Sequence, residues 1–173
     1  ATEVPAALES RDIDLAIGIL QPRHRDIQTE ALFKEHYVAL TAQTWQPASG
    51  DLSRALSLAQ LQEAQLVVAS PTATFHAGVE KILSAFKINQ QIVLRVRHFG
   101  AIPDLVLHTD LLAIVPKMYA TELTHHRAVR VWDLPIKSLN YVVNMVWHSS
   151  TQQDPRHAWL RQQVRQLFTH SIS

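Results

Sequence analysis

The sequence of 173 residues has no cysteine, only four glycines and no long hydrophobic run. The absence of cysteine removes CxxC-type motifs and leaves the redox compartment unindicated. With so little glycine there is no Gly-rich loop of the kind that cradles phosphate. No apolar run approaches the ~20 residues that a membrane-spanning helix needs. The N-terminal residues also lack the basic segment and apolar core of a signal peptide, so we expect no targeting segment here.

Catalytic and metal-binding motifs are missing as well. GxSxG and HExxH do not occur, although there are ten histidines. The adjacent pair His125 and His126 suggests a metal ligand set, but neighbouring residues point apart on a helix and no partners are suitably spaced. We expect a solvated helix end at this pair. The sequence therefore predicts neither an enzyme nor a bound cofactor or metal.

The charges of the chain are nearly balanced. Sixteen Lys and Arg residues face fifteen Asp and Glu residues, which gives a formal net charge of +1. The basic residues are scattered, whereas nucleic-acid-binding surfaces usually show a basic stripe. We expect this chain by itself not to bind DNA specifically.

The most informative stretch of the sequence is residues 98–116. Ile102, Leu105, Val106 and Thr109 recur at the spacing of one helical face, and Pro103 is tolerable in the first turn. Residues 111–115 are an unbroken apolar run, which is typical of a strand covered on both faces in a parallel sheet. With 47% hydrophobic and 18% charged residues, the chain has the composition of an ordinary globular protein, and its length is sufficient to bury a proper core.

The remaining hydrophobic pattern predicts alternating strands and helices. Ser57 and Gln60 match a capping box, Thr74 is a candidate N-cap for a helix over 74–87, and Asp154 with Pro155 is a strong helix start. Phe86 and Leu167 are placed on the buried stripes of their helices. Strands are predicted over residues 15–20, 30–41, 65–70, 92–97, 111–115, 129–134 and 139–147, with a further helix over 118–126.

This order of elements predicts two lobes. Residues 1–69 and 149–173 are assigned to lobe I, and residues 70–148 to lobe II. The first crossing between them is placed near Ala69 to Pro71, and the strand over 139–147 is the return crossing. A chain that leaves one α/β lobe and later returns to it creates a cleft, which is a preferred small-molecule site.

Four segments in the same order carry a family resemblance. The central stretch reads HF-x-x-I-P, then V-x-x-T-D-L-x-A-x-V-P. It is accompanied by DIDLAIGIL (12–20), LFKEHYVAL (32–40) and NMVWHSS with DPRHAWLRQQVRQLF (144–168). Together they resemble the effector-binding domain of LysR-type transcriptional regulators, nearest the branch that controls aromatic degradation and nodulation genes. The resemblance covers nearly the whole chain.

The resemblance implies two Rossmann-like lobes of the type II periplasmic-binding-protein architecture, with a ligand cleft between them. It also implies that the first strand–helix unit and the winged helix-turn-helix precede this sequence, so the chain is expected to be a fragment. DNA would be bound only through that absent domain. The implied partners are a small-molecule effector and further copies of the protein, as a dimer and, at full length, a tetramer. The implied location is the cytoplasm, without a membrane partner.

Candidate site residues lie where strands, helices and crossings end. Thr72, Thr74 and His76 would offer hydroxyls, backbone N–H groups and an imidazole at a helix N-terminus, which suits an anion. The alternative is an ordinary capped helix with an exposed histidine, and the chemistry of these residues alone favours it. The resemblance favours the site, because the family's effector pocket often uses this turn.

Two further pairs have equally open interpretations. His98 and Phe99 end a strand and could supply a hydrogen-bond donor and an aromatic wall for a planar acid. They could also be a satisfied core histidine beside a core phenylalanine. Trp147 and His148 lie at the return crossing and would face the cleft, whereas a tryptophan there could be plain interlobe packing.

These observations predict an effector-sensing domain that binds a small aromatic anion. The alternative is a solute-binding protein of a transport system with the same fold. That alternative would need export, for which the sequence gives no signal.

Overall fold

The computed structural model describes residues 3–49, 55–69 and 76–169. The chain divides into two compact units. Unit 1 comprises residues 1–35 and 141–173, and unit 2 comprises residues 36–140. Within the described ranges, no helix is long and apolar enough to cross a membrane.

The two units are built from six helices and seven strands that the structure describes. The helices are α1 (Val4–Glu9), α2 (Leu58–Glu63), α3 (His76–Ala85), α4 (Ile102–His108), α5 (Lys117–Thr124) and α6 (Pro155–Thr169). The strands are β1 (Leu15–Gly18), β2 (Ile27–Ala42), β3 (Leu66–Ala69), β4 (Ile92–Val96), β5 (Leu112–Pro116), β6 (Val129–Trp132) and β7 (Asn140–His148).

The sheet of unit 1 is covered on both faces. β1 pairs antiparallel with β7, so that Leu15 lies opposite Trp147, and β2 follows β7 in the strand order. Val146 packs with Leu8 of α1, whereas its neighbours on either side along β7, Met145 and Trp147, form a cluster with Val164 of α6. Because successive side chains of a strand point to opposite faces, α1 and α6 cover opposite sides.

Unit 2 is built around parallel strands. β3 lies between β5 and β4 and is parallel to both, while β2 pairs antiparallel with β5 and with β6. On one face, Val67 and Val115 belong to a cluster with residues of α4 and α5. Leu66 and Leu112, which alternate with that set, are fully buried too. The sheet of unit 2 is therefore mixed and buried on both faces, as the apolar run over 111–115 predicts.

The central stretch folds as predicted into a helix, a turn and a buried strand. Ile102 and Val106 are inaccessible and face the unit 2 core. The Thr109 hydroxyl donates to the carbonyl oxygen of Leu105 at 2.6 Å and accepts from the backbone N–H of Leu111 at 3.2 Å. These two hydrogen bonds of one side chain mark the end of α4 and the turn toward β5, since they pair backbone groups that the helix leaves without partners.

Two helix starts that the sequence predicts are confirmed. The Ser57 side chain accepts from the backbone N–H of Gln60 at 3.2 Å, and the Gln60 amide oxygen accepts from the N–H of Ser57 at 2.9 Å. Asp154 Oδ1 accepts from the N–H of Arg156 at 2.8 Å, and Pro155 opens α6. Both arrangements satisfy backbone donors of a first turn. The predicted N-cap Thr74 lies outside the described residues.

The boundaries of the two units differ from the predicted ones at 69/70 and 148/149. β2 is sixteen residues long and passes from unit 1 into unit 2 after residue 35. Its residues from Tyr37 to Leu40 already pair with β5, so the chain enters unit 2 well before β3. The return to unit 1 falls at residue 141, at the start of β7. Alternation of apolar residues predicts a strand but not its partners, which is why β2 was assigned wholly to the first lobe.

Two residues predicted to be buried lie at the surface. Phe86 is 37% exposed just after α3, and Leu167 is 72% exposed on α6. In α3 the chain leaves the helix at Ala85 before Phe86 can turn inward. In α6, the buried face is centred on His157, Arg161 and Val164, while Leu160 and Phe168 are half-buried, so Leu167 lies outside it.

Candidate functional site

The carboxyl ends of β3, β4 and β5 meet at one edge of the unit 2 sheet, because these three strands are parallel. The chain runs from β3 to β4 on one side and then to β5 on the other side of β3. The direction of winding therefore changes between β3 and β5. In open α/β sheets, ligands bind outside the carboxyl ends of the strands at such a switch point. We take this carboxyl edge of unit 2 as the candidate site.

The segment that leaves β3 at this edge carries the first group of predicted site residues. Thr72 and Thr74 lie outside the described residues. α3 begins at His76, so the backbone at this position is the start of a ten-residue helix. The predicted contacts of all three residues with an anion stay predictions.

The end of β4 places His98 and Phe99 at the same edge. His98 is exposed and has an extended backbone, and it is the N-cap residue of the 3₁₀ turn that begins at Phe99. The carbonyl oxygen of Phe99 accepts a hydrogen bond of 2.7 Å from the Tyr119 hydroxyl, and their rings lie 5.4 Å apart. Burial raises the pKa of Tyr119 above its ordinary value, so the hydroxyl stays a donor at neutral pH. The end of β4 is thus fastened to α5, which follows β5 directly.

This geometry separates the two possible roles of the pair. His98 is not a core histidine, because its side chain is exposed. Phe99 is half-buried and, like Tyr119, packs against the core cluster of unit 2. The carboxyl edge also carries Arg97 and Lys117, and no acidic residue occurs among residues 96–101 and 116–119. The edge therefore offers a local excess of positive charge.

Trp147 and His148 belong to unit 1. The Trp147 side chain is 5% exposed, its Nε1–H donates to Gln152 Oε1 at 2.7 Å, and the Arg161 guanidinium lies over its ring at 4.8 Å. Its described partners, which are Leu15, Met145, Gln152, Arg161 and Val164, all belong to unit 1, so its surroundings are those of a core residue. The predicted contacts of Trp147 and His148 with an effector, and the predicted cleft between the lobes, stay predictions.

His148 has a defined orientation at the end of β7. Its Nδ1 accepts from the backbone N–H of Ser150 at 3.2 Å and lies 2.8 Å from the Ser150 hydroxyl. Because a backbone N–H can only donate, Nδ1 carries no proton and the neutral ring is protonated on Nε2. His148 therefore presents an Nε2–H donor.

A buried polar pair in unit 1 was not predicted from the sequence. His157 and Arg161 are 6% and 4% exposed, and Arg161 Nη1 lies 2.6 Å from His157 Nδ1. Arginine only donates, so Nδ1 accepts and His157 Nε2–H donates to the carbonyl oxygen of Asp14 at 2.9 Å. The spacing of four residues indicates neighbours on one helical face. No signal in the sequence indicates that this face is buried.

Metal binding has no support in the residues that the structure describes. Among residues 3–49, 55–69 and 76–169, no group of three His, Asp or Glu side chains is placed to hold an ion. His125 and His126 are exposed at the end of α5, and His126 Nε2 lies 3.4 Å from Glu122.

A mixed α/β sheet with a switch-point edge is typical of domains that bind small molecules. A family model described as the LysR substrate binding domain matches residues 1–169. The chain belongs to this family.

The most similar sequences include HTH-type transcriptional regulators from several bacteria. The transcriptional activator NagR of Ralstonia sp is 29% identical over 164 residues, which are 95% of this chain and 53% of NagR. NahR of Pseudomonas putida is 30% identical over 167 residues, 94% of this chain and 53% of NahR. SyrM of Rhizobium etli is 28% identical over 165 residues, which are 91% of this chain and 46% of SyrM. The chain thus spans about half the length of these relatives.

Solved structures of the same fold are also regulators. A transcriptional regulator from Vibrio parahaemolyticus matches with a TM-score of 0.79 and 22% identity, covering 98% of this chain and 76% of that one. The effector binding domain of QuiR in complex with shikimate matches with a TM-score of 0.71 and 18% identity, covering 98% and 78%. The fold is therefore that of a LysR effector-binding domain.

Proposed function

We propose that this chain is the effector-sensing domain of a LysR-type transcriptional regulator. The observation that carries the proposal is the family match over residues 1–169. Relatives named HTH-type transcriptional activators are about twice as long as this chain. In the proposed protein, a DNA-binding domain elsewhere in the sequence reports effector binding to a promoter. Such a regulator would act in the cytoplasm and would need no covalent chemistry.

The proposed effector is a small aromatic carboxylate, and the proposed site is the carboxyl edge of unit 2. The switch point between β3 and β5 supports the location, and the basic residues Arg97, His98 and Lys117 support a negative charge on the ligand. Phe99 supplies an aromatic side chain beside them. A structural neighbour is in complex with shikimate, itself a small cyclic carboxylate. Thr72, Thr74 and His76 are further proposed contacts.

Effector binding is proposed to act by shifting populations. A ligand changes a conformational equilibrium only by as much as its affinity differs between the two states. The same coupling free energy then appears at the DNA-binding end of the protein. An effector that binds both states equally would leave transcription unchanged, however tightly it binds.

The first test compares three ligands that differ in one property each. Benzoate carries both the ring and the charge, benzamide only the ring, and cyclohexanecarboxylate only the charge. At a hundredfold excess over its dissociation constant, a ligand stabilises the folded protein by about 2.7 kcal/mol. For a domain of this size that raises the melting temperature by roughly 5–10 °C. We expect such a rise with benzoate and smaller rises with the other two. Equal effects of all three would contradict an aromatic anion site.

Replacing His98 tests the site itself. His98→Ala is expected to weaken benzoate binding by about 1.5–3 kcal/mol, the scale of a hydrogen bond to a charged group. His98 is exposed, so the variant should fold normally. His108→Ala is the matched control, because His108 is an exposed histidine at the other end of α4. Isothermal titration calorimetry measures both, and equal affinities in the two variants would remove His98 from the site.

A homodimer is also proposed, through an edge strand and a neighbouring helix. β4 is the last strand in the order of unit 2, and on it Val93 is 54% exposed and Leu94 36% exposed. Unpaired strand edges with apolar side chains are surfaces for another chain. Val93→Lys is expected to weaken self-association at least tenfold in sedimentation equilibrium. Thr121→Lys adds the same charge to the exposed surface of α5 and should leave association unchanged.

A further inference from the structure

Unit 1 contains a small cavity of its own, distinct from the carboxyl edge of unit 2. Its volume is about 190 Å³. Leu8, which is buried, and Ile13 form an apolar part of the lining. The polar part includes Arg11, Asp14 and His148, together with Asp154. The unit 1 cavity therefore combines an apolar wall with groups of both charges.

The backbone around this cavity is held from inside the unit. His157 Nε2–H donates to the Asp14 carbonyl oxygen at 2.9 Å, and Arg161 donates to the carbonyl oxygen of Gln152 at 3.0 Å. Arg161 and His157 are both more than nine-tenths buried. The start of β1 and the turn after β7, which carry lining residues, are thus fixed to α6 by buried side chains. A wall anchored in this way is pre-formed, which keeps the ordering cost of binding small.

The chemistry of the lining matches a zwitterion. Arg11 is a permanent cation and His148 presents an Nε2–H donor, so both suit a carboxylate. Asp14 and Asp154 are carboxylates and suit an ammonium group. Leu8 and Ile13 suit a short apolar side chain. One α-amino acid carries all three features within a few atoms.

We propose that the unit 1 cavity binds a small α-amino acid. Pockets for drug-sized ligands begin at about 300 Å³, so the smaller volume here limits the occupant to an amino acid with a short side chain. The site would give the protein a second input, separate from the aromatic effector. Its residues belong to unit 1 alone, so the proposal does not depend on the carboxyl edge of unit 2.

L-Alanine is the probe, and two analogues that each lack one of its charged groups are the controls. Propionate carries the carboxylate without the ammonium group, and ethylamine carries the ammonium group without the carboxylate. Two-dimensional NMR of the full 173-residue chain follows the amide signals of Arg11, Asp14 and Ser150. We expect L-alanine to shift these signals saturably. Propionate and ethylamine should each bind at least about tenfold more weakly, because each lacks one of the charged groups that the lining binds.

Variants of the lining decide the assignment. Arg11 and Asp14 are exposed, so Arg11→Gln, which removes the guanidinium, and the isosteric Asp14→Asn should both fold. Each is expected to lower the affinity for L-alanine about tenfold or more. Arg23→Gln, at an exposed arginine of unit 1 that is not part of the lining, is expected to leave it unchanged. Circular dichroism checks that the variants fold. The proposal is overturned if about 10 mM L-alanine gives no saturable shift. At that concentration the site would be mostly occupied even with a dissociation constant of about 1 mM. Shifts that persist with equal affinity in both lining variants would overturn it as well.

Discussion

Replacing Trp147 by alanine is expected to lower the free energy of unfolding by about 3–5 kcal/mol, the usual cost of removing a buried tryptophan. The side chain is 5% exposed and packs with Met145 and Val164. Its Nε1–H also bonds Gln152, so the substitution removes a hydrogen bond and leaves a cavity under α6. Urea denaturation of the purified chain measures the loss.

Trp159 provides the matched control for this prediction. It lies on α6 in the same unit but is 62% exposed. Trp159→Ala should change the free energy of unfolding by no more than about 0.5 kcal/mol, as surface substitutions usually do. Comparing Trp147→Ala with Trp159→Ala also tests whether Trp147 is a packing residue or a residue exposed for effector binding. An unfolding free energy within about 1 kcal/mol of wild type in Trp147→Ala would contradict the core role.

The second large effect is expected at Arg161. Arg161→Ala should cost about 2–4 kcal/mol, because it leaves the buried His157 Nδ1 without a donor and removes the bond to the Gln152 carbonyl oxygen. The ring of Trp147 also loses the guanidinium that covers it at 4.8 Å. Arg156→Ala removes an exposed arginine from the same helix and should be nearly neutral.

A double-mutant cycle tests whether Arg161 and His157 act as a pair. The two single alanine variants and the double variant are compared by urea denaturation. Residues in direct contact usually show coupling energies of about 0.5–3 kcal/mol, so the double variant should lose less stability than the two single losses added together. Strict additivity would mean that the 2.6 Å contact between Nη1 and Nδ1 contributes nothing to stability.

Local chemistry explains what could be predicted from the sequence. The capping box at Ser57, the cap at Asp154 and the buried run of β5 each depend on residues within a few positions of one another. The family motifs lie along the same segments, so the fold class was predicted correctly. The position of His98 at a strand end also followed from local pattern.

Long-range pairing explains what could not be predicted. The burial of Arg161 needs the Trp147 ring, the Gln152 carbonyl oxygen and His157, and the orientation of His157 needs Asp14 from the other end of the chain. Polar residues are expected at the surface unless such partners exist. The unit 1 cavity was missed for the same reason, since its lining joins residues more than 130 positions apart, from Asp14 to Asp154.

The discontinuity of unit 1 has a consequence for biosynthesis. Leu15 pairs with Trp147, so β1 cannot pair with β7 until 132 more residues have been synthesised. At ~5–20 residues per second that delay is on the order of ten seconds, during which unit 2 is translated in full and is free to fold. Closing a loop of that length costs about 4 kcal/mol of chain entropy by the logarithmic rule. The amino-terminal residues of unit 1 are therefore made long before the strand with which they pair. A molecular chaperone that holds them during this interval would raise the yield of folded protein more than one that acts on unit 2.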